Sequence, residues 1–177
     1  MMHWRPMRAD DLPRVMAIAA HLHPGYPERL EIFADKLAFY ADGCRVLVED
    51  DDTIAGYAFA HVWSLGRPPL LDAPLGALPG PVDCLHLHDV ALMPQAQGAG
   101  RVDVYLDHLQ ALALADSIDR LSLIAIAGKD SYWRGKGFQD FRPCDGELQR
   151  RLDSYGSGNL YLCRRLTKLK ESDTQAV

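Results

Sequence analysis

Apolar positions recur along the chain with two spacings, and the switches between them sketch the fold. Residues 3–8 read as a short first strand. Asp10 or Asp11 suits a helix N-cap, Pro13 is tolerated in the first turn, and Leu12, Val15, Met16, Ala19 and Leu22 follow at helical spacing. His23-Pro24-Gly25-Tyr26-Pro27 must break that helix, and a second starts near Pro27 with Leu30, Phe33, Leu37 and Tyr40 on one face. From Gly43 the spacing drops to two. Cys44, Val46 and Val48 alternate with Arg45 and Glu49, residues 50–52 turn, and residues 53–63 return as the second arm of a hairpin.

Residues 65–81 form a long loop rich in proline and glycine, whose leucines suit a wall over a site. Residues 82–92 are the central strand. A helix over residues 98–116 follows, with Val102, Tyr105, Leu106, Leu109, Leu112 and Ala113 as its buried stripe. Residues 121–127 read as an interior strand, 130–136 as a short helix stopped by Gly137, and 138–141 as the start of another strand. Residues 144–156 fit a helix or a loop, and 159–166 form the last strand. This is one α/β (α+β) domain over residues 1–166, followed by a polar tail over 167–177.

Composition changes this picture little: 48% hydrophobic and 24% charged residues are ordinary for a globular chain. A net charge of -5 and a pI of about 5.7 argue against nucleic acid as a partner and mildly favour a cationic substrate. No stretch reaches the roughly 18 apolar residues of a membrane span, and the first residues lack an apolar signal core. The four cysteines are scattered and form no Cys-x-x-Cys pair, so a reduced, cytoplasmic protein is expected.

The candidate chemistry is concentrated in residues 85–100, a buried strand running into a glycine turn and then a long helix. Such a turn aims backbone N–H groups and the positive end of a helix dipole at one point, which suits phosphate or pyrophosphate. His86 and His88 lie one strand period apart and should leave the same face, with Asp89 on the opposite one. The plain alternative is that both imidazoles are hydrogen-bonded within the sheet. Metal binding is not expected, because no further His/Cys cluster completes a site.

The motif Gln97-Gly98-Ala99-Gly100-Arg101-Val102, with Pro94 upstream and Tyr132-Trp133-Arg134-Gly135-Lys136-Gly137-Phe138 downstream, resembles the GCN5-related N-acetyltransferase (GNAT) superfamily. The resemblance implies a mixed, mostly antiparallel sheet of six to seven strands flanked by about four helices. It further implies that Gln97, Gly98, Ala99, Gly100, Arg101 and Val102 bind the pyrophosphate of acetyl-CoA, the cosubstrate. Backbone groups of Val90, Ala91 and Leu92 would face the thioester. Val102 departs from the small residue usual at that place, and Trp133 stands where the family often has a tyrosine that protonates the leaving thiolate. Tyr132 is the remaining candidate acid, and Trp133 packs on the pantetheine arm or in the core. His86-Leu87-His88 is similar to the His-x-His of arylalkylamine N-acetyltransferases, where the imidazoles deprotonate the substrate amine. His21, His23 and Tyr26, at the end of the first helix, are candidate acceptor contacts against the plain reading that such residues face solvent. The hairpin bearing His61 and Trp63 resembles that family's and makes both candidates too, although the plain reading of Trp63 is core. The acceptor implied is a small primary amine, with an amino acid, an antibiotic, a protein N-terminus or a non-catalytic acyl-CoA-binding role as alternatives. The family also forms dimers through its last strands, so a homodimer is left open.

A neutral imidazole suits the task. An alkylamine with a pKa of about 10.4 is almost wholly protonated at pH 7, and a base with a pKa of about 6.5 typically contributes about 10²–10⁴-fold.

Overall fold

The computed structural model describes residues 1–142 and 146–166; Cys144 and the tail over 167–177 lie outside the described residues. Its strands are β1 (His3–Pro6), β2 (Arg45–Val48), β3 (Ile54–Trp63), β4 (Cys84–Leu92), β5 (Arg120–Ala125), β6 (Gln139–Asp140) and β7 (Leu160–Arg165). Its helices are α1 (Leu12–Leu22), α2 (Leu30–Phe39), α3 (Arg101–Ala115), α4 (Asp130–Gly135) and α5 (Glu147–Asp153). One sheet runs in the order β1-β2-β3-β4-β5-β7-β6, antiparallel except for the β4/β5 pair.

Period two along β3 divides the core into two layers. Tyr57 and Phe59 pack with Val15, Ile18 and Phe33 of α1 and α2 on one face. Ala58 and Ala60 pack with Tyr105, Leu106, Leu109 and Ala113 of α3 on the other. The small alanines let α3 lie close, and each buried leucine contributes about 1.5–3 kcal/mol.

Three boundaries differ from expectation for identifiable reasons. Asp11 does not cap α1 through its side chain; its carboxylate turns back to the Arg8 N–H at 2.7 Å and to the Arg5 guanidinium at 2.7 and 2.9 Å. Helix α2 begins at Leu30 rather than near Pro27, because Arg29 is extended and its N–H and guanidinium both bind Asp72, at 2.8 Å each. Strand β5 stops at Ala125, where Ile126 accepts a turn bond from Lys129 N–H at 2.9 Å. The segment left open by periodicity contains α5, whose Leu148 and Leu152 pack on Tyr161.

Candidate active site

The parallel pairing of β4 with β5 lasts only for Leu85–Leu87 against Leu121–Leu123. Beyond it the strands separate, and a cleft of about 530 Å³ opens between them, lined from β4 by Leu87 through Leu92 and from β5 by Leu123 and Ile124. Met93 N–H donates to Ala55 O on β3. By strand alternation the backbone groups of Val90 and Leu92 therefore point the other way, into the cleft. Gln97 supports this placement, since its side-chain amide donates to Leu92 O at 3.2 Å.

At the far end of β4 the chain makes a turn in which Gly98 (φ 79°), Ala99 (φ 51°) and Gly100 (φ 67°) are all left-handed. Three successive residues in that region curl the backbone into a concave nest of N–H groups. Among the described residues, the amides of Gly98, Ala99, Gly100, Val102 and Asp103 find no backbone acceptor. Arg101 holds the turn from outside, its guanidinium donating to Ala96 O, Gln97 O and Gly98 O at 3.2–3.4 Å, while Trp4 Nε1 donates to Arg101 O at 2.8 Å. Val102 is accommodated, packing at the edge of the core near Leu92 and Ala96. The turn thus presents a concave set of backbone N–H groups at the start of α3, a geometry that suits an anion.

The histidines separate into different environments. Between Phe59 and Ala60 the β3/β4 register slips, so that Phe59 faces Asp89 and Ala60 faces Leu87, leaving His88 as the extra residue of a β-bulge. The bulge corrects the expected alternation: Asp89 is not on the face opposite His88 but beside it on the cleft wall. His86 is fully buried, stacked on Tyr161 with ring centroids 6.1 Å apart and with Nδ1 2.9 Å from Ser122 Oγ, and it does not line the cleft. His88 does line it. Burial, with the nearby Lys36 charge, pushes the His88 imidazole below its usual range although Glu28 opposes this, so it is neutral at pH 7. Burial and the neighbouring imidazoles push His86 and His61 well down, and both are neutral too.

His61 lies behind His88 rather than at the cleft, with Nε2 3.4 Å from His88 Nδ1. Trp63 is core, packed with Leu75, Cys84 and Phe39, and does not reach the cleft. Tyr26 does reach it, bonded to Asn159 at 3.3 Å, as do Tyr132 and Trp133. Trp133 is at once core and cleft wall. Tyr132 is nearly half exposed, and partial burial raises its hydroxyl above the usual phenol range.

Sequence reasoning missed Glu28 and Lys36, whereas His23, a candidate pocket residue with His21 and Tyr26, does line the cleft and His21 does not. Glu28 comes from the loop between α1 and α2, lines the cleft, sits 3.6 Å from His88 Nε2 through Oε1, and pairs through Oε2 with the buried Lys36 ammonium. Burial would raise the Glu28 carboxyl, but His88 when protonated, and after it the Lys36 ammonium, hold it at about 2. Lys36 in turn lies 5.4 Å from the Phe33 ring and 5.8 Å from the Phe59 ring, in cation–π range. Asp89 is bonded to Tyr57 and lies 3.3 Å from His23, whose pKa it raises. Burial works against both ionised groups of that pair, yet the contacts keep the Asp89 carboxyl below its ordinary value. Among the described residues no group of three or more His, Cys, Asp or Glu is arranged to hold a metal ion, and no helix is long and apolar enough to cross a membrane.

No protein-family model matches the sequence, and no curated protein matches it. Solved structures do. N-acetylglutamate synthase from Neisseria gonorrhoeae, complexed with coenzyme A and N-acetyl-glutamate, superposes with a TM-score of 0.71 at 21% identity over 95% of this chain. The chain spans only 36% of that protein's length. Ard1 from Thermoplasma volcanium gives a TM-score of 0.67 at 12% identity, covering 94% of this chain and 99% of its own. Naa20 from Chaetomium thermophilum, in complex with a bisubstrate analogue, gives 0.66 at 18% identity over 93% of this chain and 86% of its own. At such identities the likeness establishes the fold alone: this chain's seven-stranded sheet and flanking helices follow the same course as in those proteins.

Proposed function

We propose that the chain is an acetyl-CoA-dependent N-acetyltransferase acting on a small primary amine. The observation that carries this is the splayed β4 edge, which joins an anion cradle at Gly98–Gly100 to a neutral, cleft-lining imidazole at His88. The residues fit the cosubstrate. Amides of Gly98, Ala99, Gly100, Val102 and Asp103 suit a pyrophosphate. The outward backbone groups of Val90 and Leu92 suit the amides of a pantetheine arm laid along β4 as an added strand. When bound, acetyl-CoA supplies an activated acetyl group as a thioester.

The chain's own groups do the rest. His88 takes the proton that keeps the amine from attacking. A backbone N–H of the outward set on β4 receives the oxyanion that develops on the acetyl carbonyl. Tyr132 is the group placed to return a proton to the departing sulfur, and a thiol pKa of about 8.5 makes that help useful rather than essential. His86 has no direct part; it supports the sheet.

Charge favours an amine without a carboxylate beside it. Glu28 and Asp89 face the acceptor end, and Lys129 is the lysine on the lining. Tyr26, Tyr155 and Leu71 add an apolar wall for an alkyl or aryl body. The test is release of free thiol from acetyl-CoA across a panel of amines and amino acids. Turnover should prefer an amine over the amino acid of the same side chain, and His88→Ala should lower kcat by about 10²-fold or more. His86→Ala should act mainly on stability. Tight CoA binding without turnover of any amine would overturn the catalytic reading in favour of an acyl-CoA-binding module.

A further inference from the structure

We propose that His61 is a positioning residue that holds His88 in its Nδ1–H form, so that the bare His88 Nε2 and Glu28 Oε1 together seat the acceptor's ammonium. This rests on the reading of His88 as the base and adds which of its nitrogens acts, what fixes that choice, and what binds the amine as a cation.

Donors can be followed outward from the sheet. His61 Nδ1 lies 3.3 Å from Val62 O, and a carbonyl oxygen only accepts, so this nitrogen carries the proton. A neutral imidazole has one N–H, which leaves His61 Nε2 as an acceptor. Its neighbour at 3.4 Å is His88 Nδ1, which must therefore donate. His88, neutral as well, is then bare at Nε2. The His61 ring is clamped for this role, edge-on to Phe39 with centroids 5.9 Å apart and to Trp63 at 5.0 Å.

The opposite tautomer would point a His88 Nε2–H at Glu28, but 3.6 Å is too long for that bond. It would also set bare His61 Nδ1 against Val62 O. The bare Nε2 and the Glu28 carboxylate are thus two acceptors side by side at the cleft, and a primary ammonium carries three donors that can reach both. Lys36 sits on the far carboxylate oxygen, and Oε1, which accepts from Asp72 N–H at 3.3 Å, keeps a second lone pair for the cleft.

The step then balances. R–NH3⁺ gives one proton to His88 Nε2, and the freed nitrogen pair attacks the thioester carbonyl. The adduct loses a second N–H proton as the C–S bond breaks, and the thiolate takes up one proton. The sum is R–NH3⁺ plus acetyl-CoA giving the N-acetyl amide, CoA thiol and one released proton. While His88 is imidazolium, Glu28 faces its new N–H.

Long-range ¹H–¹⁵N correlation spectra of the uniformly ¹⁵N-labelled full chain at neutral pH read the tautomer directly, with His88 identified by the signals lost in His88→Ala. The expected result is a protonated Nδ1 and a bare Nε2. His61→Phe, which keeps the ring packing, should shift His88 toward the other tautomer and lower kcat by about 10²-fold. His61→Gln, whose amide oxygen reaches the place of Nε2, should restore both. Glu28→Gln should raise the KM of a cationic amine by about tenfold or more with a smaller effect on kcat. An Nε2–H signal in the wild-type chain overturns the proposal even if every variant misfolds. So does a His61→Phe protein with unchanged tautomer and kcat, or an unchanged KM in Glu28→Gln. Absence of turnover with all amines would sink the enzymatic reading, whereas the tautomer spectrum judges the His61 lock separately.

Discussion

Replacing Lys36 by Met should strand the Glu28 carboxylate inside the protein, and the structure sets the scale of the damage. The two side chains are 1% and 6% exposed, so solvent screening relieves little. The Glu28 carboxyl, held at about 2 by His88 and Lys36 together, adds stability at neutral pH, of which Lys36 supplies a share. The sign follows from the depressed value: this contribution is complete above pH 4.5 and is lost as pH falls toward 2. Lys36 works the other way, because burial lowers its pKa and its ammonium costs stability wherever the unfolded chain would be charged. The net value of the pair is therefore smaller than the carboxylate's share.

Removing one partner is a different matter, costing about 3–5 kcal/mol, since the remaining charge is left uncompensated. In Lys36→Met, Glu28 keeps its burial and loses its counter-ion, so its pKa should rise above the ordinary range. Lowering the pH through that raised value should restore much of the loss. Urea titrations of the wild type, Lys36→Met, and Lys36→Met/Glu28→Gln at pH 7 and pH 5 make the measurement. The double variant should be the more stable of the two at pH 7, and the single variant should gain on the wild type at pH 5. A single variant within about 0.5 kcal/mol of the wild type at pH 7, with an unchanged m-value, refutes the reasoning.

Gly100→Val places a branched side chain at φ 67°; it should cost about 1–2 kcal/mol and sharply weaken CoA binding by calorimetry, and unaltered affinity would remove the turn from the cradle. Tyr132→Phe should lower kcat by about tenfold at most, leaving the KM of the amine unchanged, because a thiol of pKa about 8.5 leaves tolerably unaided. His23 has a pKa raised by Asp89, so its pairing stabilises the fold below the ordinary 6.5 and fades as pH rises through the raised value. The stability gap between wild type and His23→Gln should accordingly narrow from pH 6 to pH 9, and a gap independent of pH would discount the pair.

The elements that bury a clear stripe were legible in the sequence, and those set by single contacts were not. Helix α3 was readable because Tyr105, Leu106, Leu109 and Ala113 return at helical spacing to one core. The glycine turn was readable because left-handed backbone strongly favours Gly, although Ala99 at φ 51° shows that one position departs from this. The His88 bulge was invisible. A period-two reading assumes one residue per register step, and nothing in Leu87-His88-Asp89 marks an inserted residue. Glu28 and Lys36 were hidden for another reason: each alone looks like a solvated charge, and only the fold of the loop onto α2 brings them together. Trp63 was a candidate by its place in the hairpin, but its indole N–H finds Arg67 O at 2.6 Å, which lets it remain core.

The bulge and the splay belong to one device. A strand inside a sheet normally exhausts its backbone groups on two neighbours, which leaves nothing for a ligand to bind. Here β4 keeps β3 along its length but has β5 for only three residues, so Val90 and Leu92 retain backbone groups at the centre of the sheet without exposing an outer edge. Regular pairing along the rest of β4 would still have left Asp89 on the α3 face. The extra residue turns Asp89 onto the face of His88 and Glu28, so the same strand offers backbone to one substrate and titratable side chains to the other. Deleting His88 would restore a regular register with Asp89 still opposite Phe59, on the face of Tyr57 and His23, so the carboxylate would stay while the imidazole facing Glu28 was lost.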